Sequence, residues 1–199
     1  MVSKQDILSL LSDRPQPFAG QRPPHLPEAS SRPASILMLF AEGVQGLEIL
    51  LTKRAGHLRL HAGQVSFPGG KPEAMDNSPA DTALRETEEE TGLSADMVAI
   101  KGYLPPVLTS TNYMVDLTVG FCHHPAEEIH PLLRPAPEEV DEVWFEPANP
   151  LVQVGQFEQR ALVRDGQTRH YWQIKNSEPV IWGATAAMLR QLAILLEQK

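Results

Sequence analysis

Glu86, Glu89 and Glu90 stand with Arg85 in the run from Pro79 to Thr91 of a 199-residue chain. At about 100° per residue, Arg85, Glu86, Glu89 and Glu90 gather on one side of a helix, and Ala80, Ala83, Leu84, Thr87 and Thr91 on the other. Glu88 falls between the two groups. Carboxylates three and four residues apart repel by a few tenths of a kcal/mol per pair, a cost that a bound divalent cation reverses. Arg85, one turn before Glu89, relieves part of it. An acidic run of this kind can also be an ordinary solvated helix face. Its flanks point elsewhere: Gly69-Gly70 directly follows the strand-like Val65-Ser66-Phe67. A double glycine there lets the backbone approach a phosphate or turn sharply into a site.

A second group of residues lies just upstream. Lys53, Arg54, His57, Arg59 and His61 concentrate positive charge within nine residues, and such a patch attracts phosphates. The alternative is a basic loop that balances the acidic helix. The patch matters because the whole chain carries 25 acidic against 17 basic side chains, a formal charge of -8. That balance opposes attachment to a long nucleic acid, so the expected partner is a small molecule held by local charge.

The elements that must position these groups can be read from pattern. Ser78 is an N-cap, Pro79 suits the first helical position, Asp81 the third, and Gly92 a left-handed stop, so the helix spans Pro79 to Thr91. A second long helix runs from Ala184 to Glu197, with Met188, Leu192, Leu195 and Leu196 on one stripe. Strands are expected at Ile36–Phe40 and Leu47–Leu51 around a turn, and at 64–67, 97–104, 114–121, 143–145, 159–163 and 170–174. Ser3 and Asp6 form a capping box ahead of Ile7, Leu8, Leu10 and Leu11, and the short helix they open reads as an appendage. From Pro15 to Pro33 six prolines, among them Pro23, Pro24 and Pro27, preclude regular structure. The division expected is an N-terminal helix and Pro-rich arm over 1–33 and a single globular domain over 34–199. Strands outnumber helices along one chain, which favours an α+β fold, a mixed sheet flanked by helices. Cys122, the only cysteine, excludes an internal disulfide. No apolar run is long enough to span a bilayer, and neither terminus carries a targeting signal, so no membrane association and a cytoplasmic location are expected.

From Phe67 to Leu93 the sequence resembles the Nudix box: a glycine, five residues, Glu, seven residues, Arg-Glu, an apolar residue, any residue, Glu-Glu, any residue, Gly and an apolar residue. Arg85, Glu86, Glu89, Glu90, Gly92 and Leu93 occupy matching positions. Three departures stand beside them. Gly70 lies one residue farther from Arg85 than the pattern sets, Asp76 is nearest to its first glutamate, and Thr87 replaces its apolar residue. The resemblance implies an α/β/α sandwich, with Glu86, Glu89 and Glu90 as ligands of Mg2+ or Mn2+ and Arg85 orienting them. It also implies a general base from Glu89, Glu138 or Glu139, because the family draws its base from more than one place.

The upstream run is similar to the coenzyme A signature of one Nudix subfamily, the coenzyme A pyrophosphatases. Leu50, Leu51, Thr52, Arg54, Ala55, Arg59, Gly63, Phe67, Pro68, Gly69 and Gly70 meet every fixed position. Glu139-Val140 and Ile181-Trp182-Gly183-Ala184-Thr185-Ala186 add weaker matches. The subfamily splits coenzyme A into 3′,5′-ADP and 4′-phosphopantetheine. Arg54, Arg59, Gly69 and Gly70 are then the expected substrate contacts, the arginines as bidentate phosphate partners. Other readings are a Nudix hydrolase of ADP-ribose, NADH or an oxidised nucleotide, a non-catalytic nucleotide-binding module, and an interaction protein using the Pro-rich arm. A homodimer is compatible with all of them. Tyr103, Tyr113, Tyr171 and Trp172 are expected in the core, His123 and His124 at the surface.

Overall fold

A computed structural model describes residues 1–20, 31–164 and 167–199. Pro23, Pro24 and Pro27 lie outside the described residues. Two long strands dominate: β1 (Arg32–Gly43) and β2 (Gly46–Arg54), an antiparallel pair joined where Gly43 faces Gly46. Both begin or end beyond the expected apolar runs because pairing carries the extended backbone past the hydrophobic residues that mark it. Pro33, expected at the end of the arm, lies inside β1, next to the strand's first residue, where a missing N–H is tolerated.

β1 and β2 pair only at the hairpin end, from Phe40 and Ile49 to the turn. Beyond it two short strands, β3 (Val65–Ser66) and β4 (Gly69–Gly70), take over: β3 pairs with β2 and β4 with β1. Residues 65–70 are thus a wedge in a fork. On the outer side of β1 runs β6 (Tyr113–Cys122), parallel to it, and then β5 (Val98–Leu108), antiparallel to β6. β7 (Val140–Pro147) flanks β2 on the other side. The register of β5 slips between Leu104 and Val107, at Pro105-Pro106, which cannot donate to the ladder. The result is a mixed seven-stranded sheet.

Side-chain alternation divides the apolar residues of the sheet between two layers. Leu37, Leu39 and Leu50 pack with Ala83 of α2 (Pro79–Thr91) on one face. Met38, Phe40, Ile49 and Leu51 pack with Met188, Leu189 and Leu192 of α5 (Gly183–Glu197) on the other. This is the α/β/α sandwich expected from the sequence. Three short helices, α1 (Lys4–Leu8), α3 (Ala126–Ile129) and α4 (Ala148–Leu151), complete it. β8 (Phe157–Arg164) and β9 (Gln167–Ile174) leave the main sheet to form a separate antiparallel hairpin beside α5.

The reading of α1 as an appendage is overturned. Its capping box is present, but Ile7 is fully buried in the α5-side core, and Ser12 pairs with Tyr103 at the edge of β5. Lys199 reaches back to Asp6 at 2.8 Å. Leu8, Leu10 and Leu11 pack on the same core beside Ile7, so the apolar residues that the sequence shows here face the body of the domain. Ile7→Ala is expected to lower the unfolding free energy by about 2–5 kcal/mol in urea denaturation, the range for large-to-small core changes. A change within a few tenths of a kcal/mol would restore the appendage reading.

Candidate active site

α2 starts and stops as its sequence dictates. The Ser78 side chain accepts from the Asp81 amide, Pro79 opens the first turn, and Gly92 ends the helix at φ 72°. Thr87, unusual at an apolar position, is buried and donates its hydroxyl to Ala83 O at 2.6 Å. Thr91 repeats the arrangement with Thr87 O at 2.6 Å. With their polar atoms satisfied inside the helix, the two threonines pack as apolar residues would.

The helix approaches the wedge of the fork closely. A Cβ on Gly70 would run into the Glu86 carboxylate, and one on Gly69, which sits at φ 149°, would strike Ser35 O. Ser35 Oγ donates to Pro79 O at 2.7 Å, tying the start of α2 to β1. The glycine pair is therefore a requirement of packing.

At the other end, Arg134 N donates to Thr91 O and Ala136 N to Glu90 O. These bonds use carbonyls that the last helical turn leaves free. They strap residues 134–136 across the end of α2, and Glu139 O then accepts from Ala55 N at 2.8 Å, next to Arg54. Glu139 is close enough to act electrostatically on both Glu86 and Glu90.

Arg85 is saturated. It donates to Glu86 Oε1 at 3.1 Å, Glu89 Oε2 at 2.9 Å, Lys71 O at 3.0 Å and both oxygens of Asp76. Asp76 also accepts from Thr82 Oγ1 and from the Glu73 amide. The Arg85 guanidinium, with those further donors, holds the Asp76 carboxyl down at about 2. Sequence reasoning found no role for Asp76. The signal was present in its nearness to the first glutamate of the box, but the longer loop from Gly70 to Ser78 hid the correspondence.

The three glutamates occupy different environments. Glu89 is exposed, Glu86 half-buried, and Glu90 only 2% exposed. Burial raises the Glu86 carboxyl, opposed by Arg85. Burial pushes Glu90 up to about 8; Arg54 and the Gly69 amide oppose the shift, whereas Glu86 and Glu139 add to it. Arg54 Nη1 stands 3.9 Å from Glu90 Oε1, and Glu90 Oε2 is buried without a hydrogen-bond partner. An orphaned, buried carboxylate oxygen among further carboxylates is a donor set that fits a hard divalent cation such as Mg2+ or Mn2+. Among the described residues no three acidic or histidine side chains already converge as a metal cluster.

Of the basic patch, the structure brings only Arg54 to the carboxylates. Lys53 pairs with Glu142 on β7. Arg59 is exposed on the loop from Gly56 to Gly63 and has no hydrogen bond or ion pair among the described residues. The loop is pinned at its root by Gly63 N donating to Arg54 O, and by Gly56 N donating to Asp141 at 2.9 Å. His123 and His124 are at the surface as expected.

The NUDIX domain family matches residues 30–165, more than half of the chain and all of the site above. The chain belongs to the Nudix family. The protein called uncharacterized Nudix hydrolase NudL in Escherichia coli O6:H1 is 37% identical over 153 residues, 76% of each chain, and the NudL of Salmonella newport matches to the same extent. Among solved structures, the Nudix hydrolase RenU of M. Smegmatis superposes over 60% of this chain and 72% of its own at 19% identity, with a TM-score of 0.48. The NUDIX domain of Shewanella oneidensis NrtR, complexed with ADP ribose, covers 61% of this chain and 75% of its own at 18% identity and TM-score 0.47. Nudix hydrolases generally use divalent metal ions, in keeping with the donor set found here.

Two outcomes follow from this geometry. A Glu90 carboxyl at about 8 in the folded protein, against 4.5 ordinarily, means that the folded state keeps a proton the unfolded state releases. In the presence of chelator, stability should therefore fall as pH rises from about 4.5 to about 8 and level off above, and Glu90→Gln should remove that slope. Melting curves of both proteins across that range test it; a difference independent of pH would refute the linkage. Asp76→Asn should lower turnover about 10- to 100-fold, the usual cost of losing a group that orients a metal ligand, and weaken Mn2+ affinity to a similar degree. Unchanged turnover and Mn2+ dependence would show that Arg85 needs no anchor.

Proposed function

We propose that this chain hydrolyses the phosphoanhydride bond of coenzyme A or one of its derivatives, releasing 3′,5′-ADP and 4′-phosphopantetheine. The observation that carries the hydrolytic part is the orphaned Glu90 oxygen beside Glu86, beneath a glycine pair and next to Arg54. What favours coenzyme A is the run from Leu50 to Gly70, whose fixed positions all match the subfamily signature. In the fold these residues form the fork itself: Leu50 to Arg54 lie on β2, and Phe67 to Gly70 cross to β1.

Each residue then has a task. Gly69 and Gly70 present backbone to the diphosphate without a side chain in the way. Arg54 offers a guanidinium to a phosphate oxygen, with Arg59 available from the neighbouring loop. Glu86, Glu89 and Glu90 would hold the divalent cations, whose chemistry there would be to neutralise the diphosphate and make the attacking water more acidic. Arg85, fixed by Asp76, keeps Glu86 and Glu89 turned towards one another. Water attacks phosphorus, the anhydride P–O bond breaks, and the proton passes to a carboxylate; Glu139, which acts electrostatically on Glu86 and Glu90, and Glu89 on the helix itself are the candidates for that base.

Mass spectrometry of products from coenzyme A, ADP-ribose, NADH and dinucleoside polyphosphates, each with Mg2+, Mn2+ or chelator, tests the reading. Metal-dependent release of 3′,5′-ADP, fastest with coenzyme A and reduced by at least about a thousandfold in Glu90→Gln, is the expected result. Cleavage of only another diphosphate would keep the chemistry and overturn the substrate. Full activity in a well-folded Glu90→Gln protein would sink the ligand assignment.

A further inference from the structure

A cavity of about 390 Å3 opens on the face of the sheet opposite α2. Its floor is apolar: Trp144 of β7, Leu151 of α4, Ile174 at the end of β9 and Ile181 all belong to or pack on the α5-side core. Trp144 pairs with Leu51 on β2, so its side chain leaves the sheet on the face away from the carboxylate helix. The cavity is therefore separate from the Nudix site and owes nothing to the activity proposed above.

The far wall is already shaped. Ser177 Oγ accepts from Ile181 N at 2.9 Å and donates to Ile174 O. Ile174 N donates to Ile181 O, closing residues 174–181 into a hydrogen-bonded loop. Lys175 is held on both sides, its amide donating to Gln156 O and its ammonium to Gly155 O. The Trp144 indole N–H donates to Glu146 Oε2 at 2.9 Å, which fixes the ring. A concavity with a preformed wall, one aromatic ring and several polar groups around it can hold and orient a small polar molecule.

The rim decides which molecule fits. The second oxygen of Glu146, the Glu178 carboxylate and the carboxamides of Gln156 and Asn176 have no partner among the described residues. The lining carries two carboxylates and one ammonium that is already engaged by Gly155 O, so a phosphate would be repelled and a group rich in N–H donors attracted. The volume lies near the lower end for ligand pockets and suits a ring system rather than a whole coenzyme. We infer that this cavity is a second binding site, for an uncharged heteroaromatic ring bearing amino or ring N–H donors, of the nucleobase kind. The ring would lie against Trp144 and donate to Glu146 and Glu178.

The test is a 15N-correlation NMR titration of the full chain with adenosine, guanosine and, as an anionic control, inorganic pyrophosphate, in the presence of chelator. The indole N–H signal of Trp144, assigned by its loss in Trp144→Phe, should shift saturably with a nucleoside at a Kd on the order of 1 mM or tighter. Glu146→Gln/Glu178→Gln should weaken that binding about tenfold, and Glu90→Gln should leave it unchanged. Pyrophosphate should leave the signal in place. No saturable shift with either nucleoside, shifts confined to Gly69 and Gly70, or equal binding by the double variant would each overturn the proposal. None of these results depends on whether coenzyme A is cleaved.

Discussion

The fork between β1 and β2 is the constraint from which the rest of the site follows. Two antiparallel strands that stay paired leave no place for a third chain segment between them. Here they part after a few residues, and residues 65–70 enter the gap, half paired to one strand and half to the other. The turn from β3 to β4 must bring the chain across within four residues and then let a helix lie directly on top. Only a residue pair without side chains satisfies both demands, because Gly69 faces the β1 backbone and Gly70 faces Glu86. Glu90 is buried as a consequence, since a helix so close to the sheet has no water beneath its last turns.

Burying a carboxylate without a full set of partners costs several kcal/mol, and a fold keeps such a group only where something else repays it. The surroundings of α2 restrain it at every point. Ser35 holds its first turn, Arg134 and Ala136 occupy the carbonyls of its last, and Asp76 ties the preceding loop to Arg85. The helix cannot shift to relieve Glu90, so the carboxyl answers by holding its proton. Burial and chemistry then meet in one feature: a carboxyl held in place with one oxygen unpartnered is the kind of group that the proposed cation would satisfy.

How much of this could be read from the sequence follows the range of the interactions involved. Ser78, Pro79 and Gly92 act on their own helix within a turn, so both ends of α2 were legible. The strands of the main sheet were legible as apolar runs, though short by several residues, since pairing partners extend them beyond their hydrophobic cores. Asp76 was not legible, because its role depends on Arg85, Thr82 and Glu73 meeting it across a loop whose length departs from the family pattern. The docking of α1 turns on Ile7, with Val2, Leu8, Leu10 and Leu11 packed beside it, and the apolar pattern that marks these residues does not say which surface receives them. The separation of β8 and β9 from the main sheet has no local signal either, since a hairpin carries the same alternation wherever it packs. The rim of the opposite cavity is farther still from legibility, for Trp144, Gln156 and Asn176 are brought together by three different elements.

Charge explains how so acidic a chain can handle an anion. Lys53 is neutralised by Glu142, and Arg85 by Asp76, Glu86 and Glu89. Arg54 is left as the cation nearest the buried Glu90, on which Glu86 and Glu139 act with the opposite sign. Without added positive charge the field over the glycine pair is negative, and a diphosphate arriving there would be repelled. Under the proposed assignment, cations held by the glutamates would reverse the sign of that field, and the phosphates would in turn supply oxygens that the cations otherwise take from water. Affinity for the metal and affinity for the substrate must then rise together, each strengthening the other by the same factor. Arg59, whose loop is rooted beside Arg54, would be placed to respond to that reversal, because among the described residues it has no carboxylate of its own to leave.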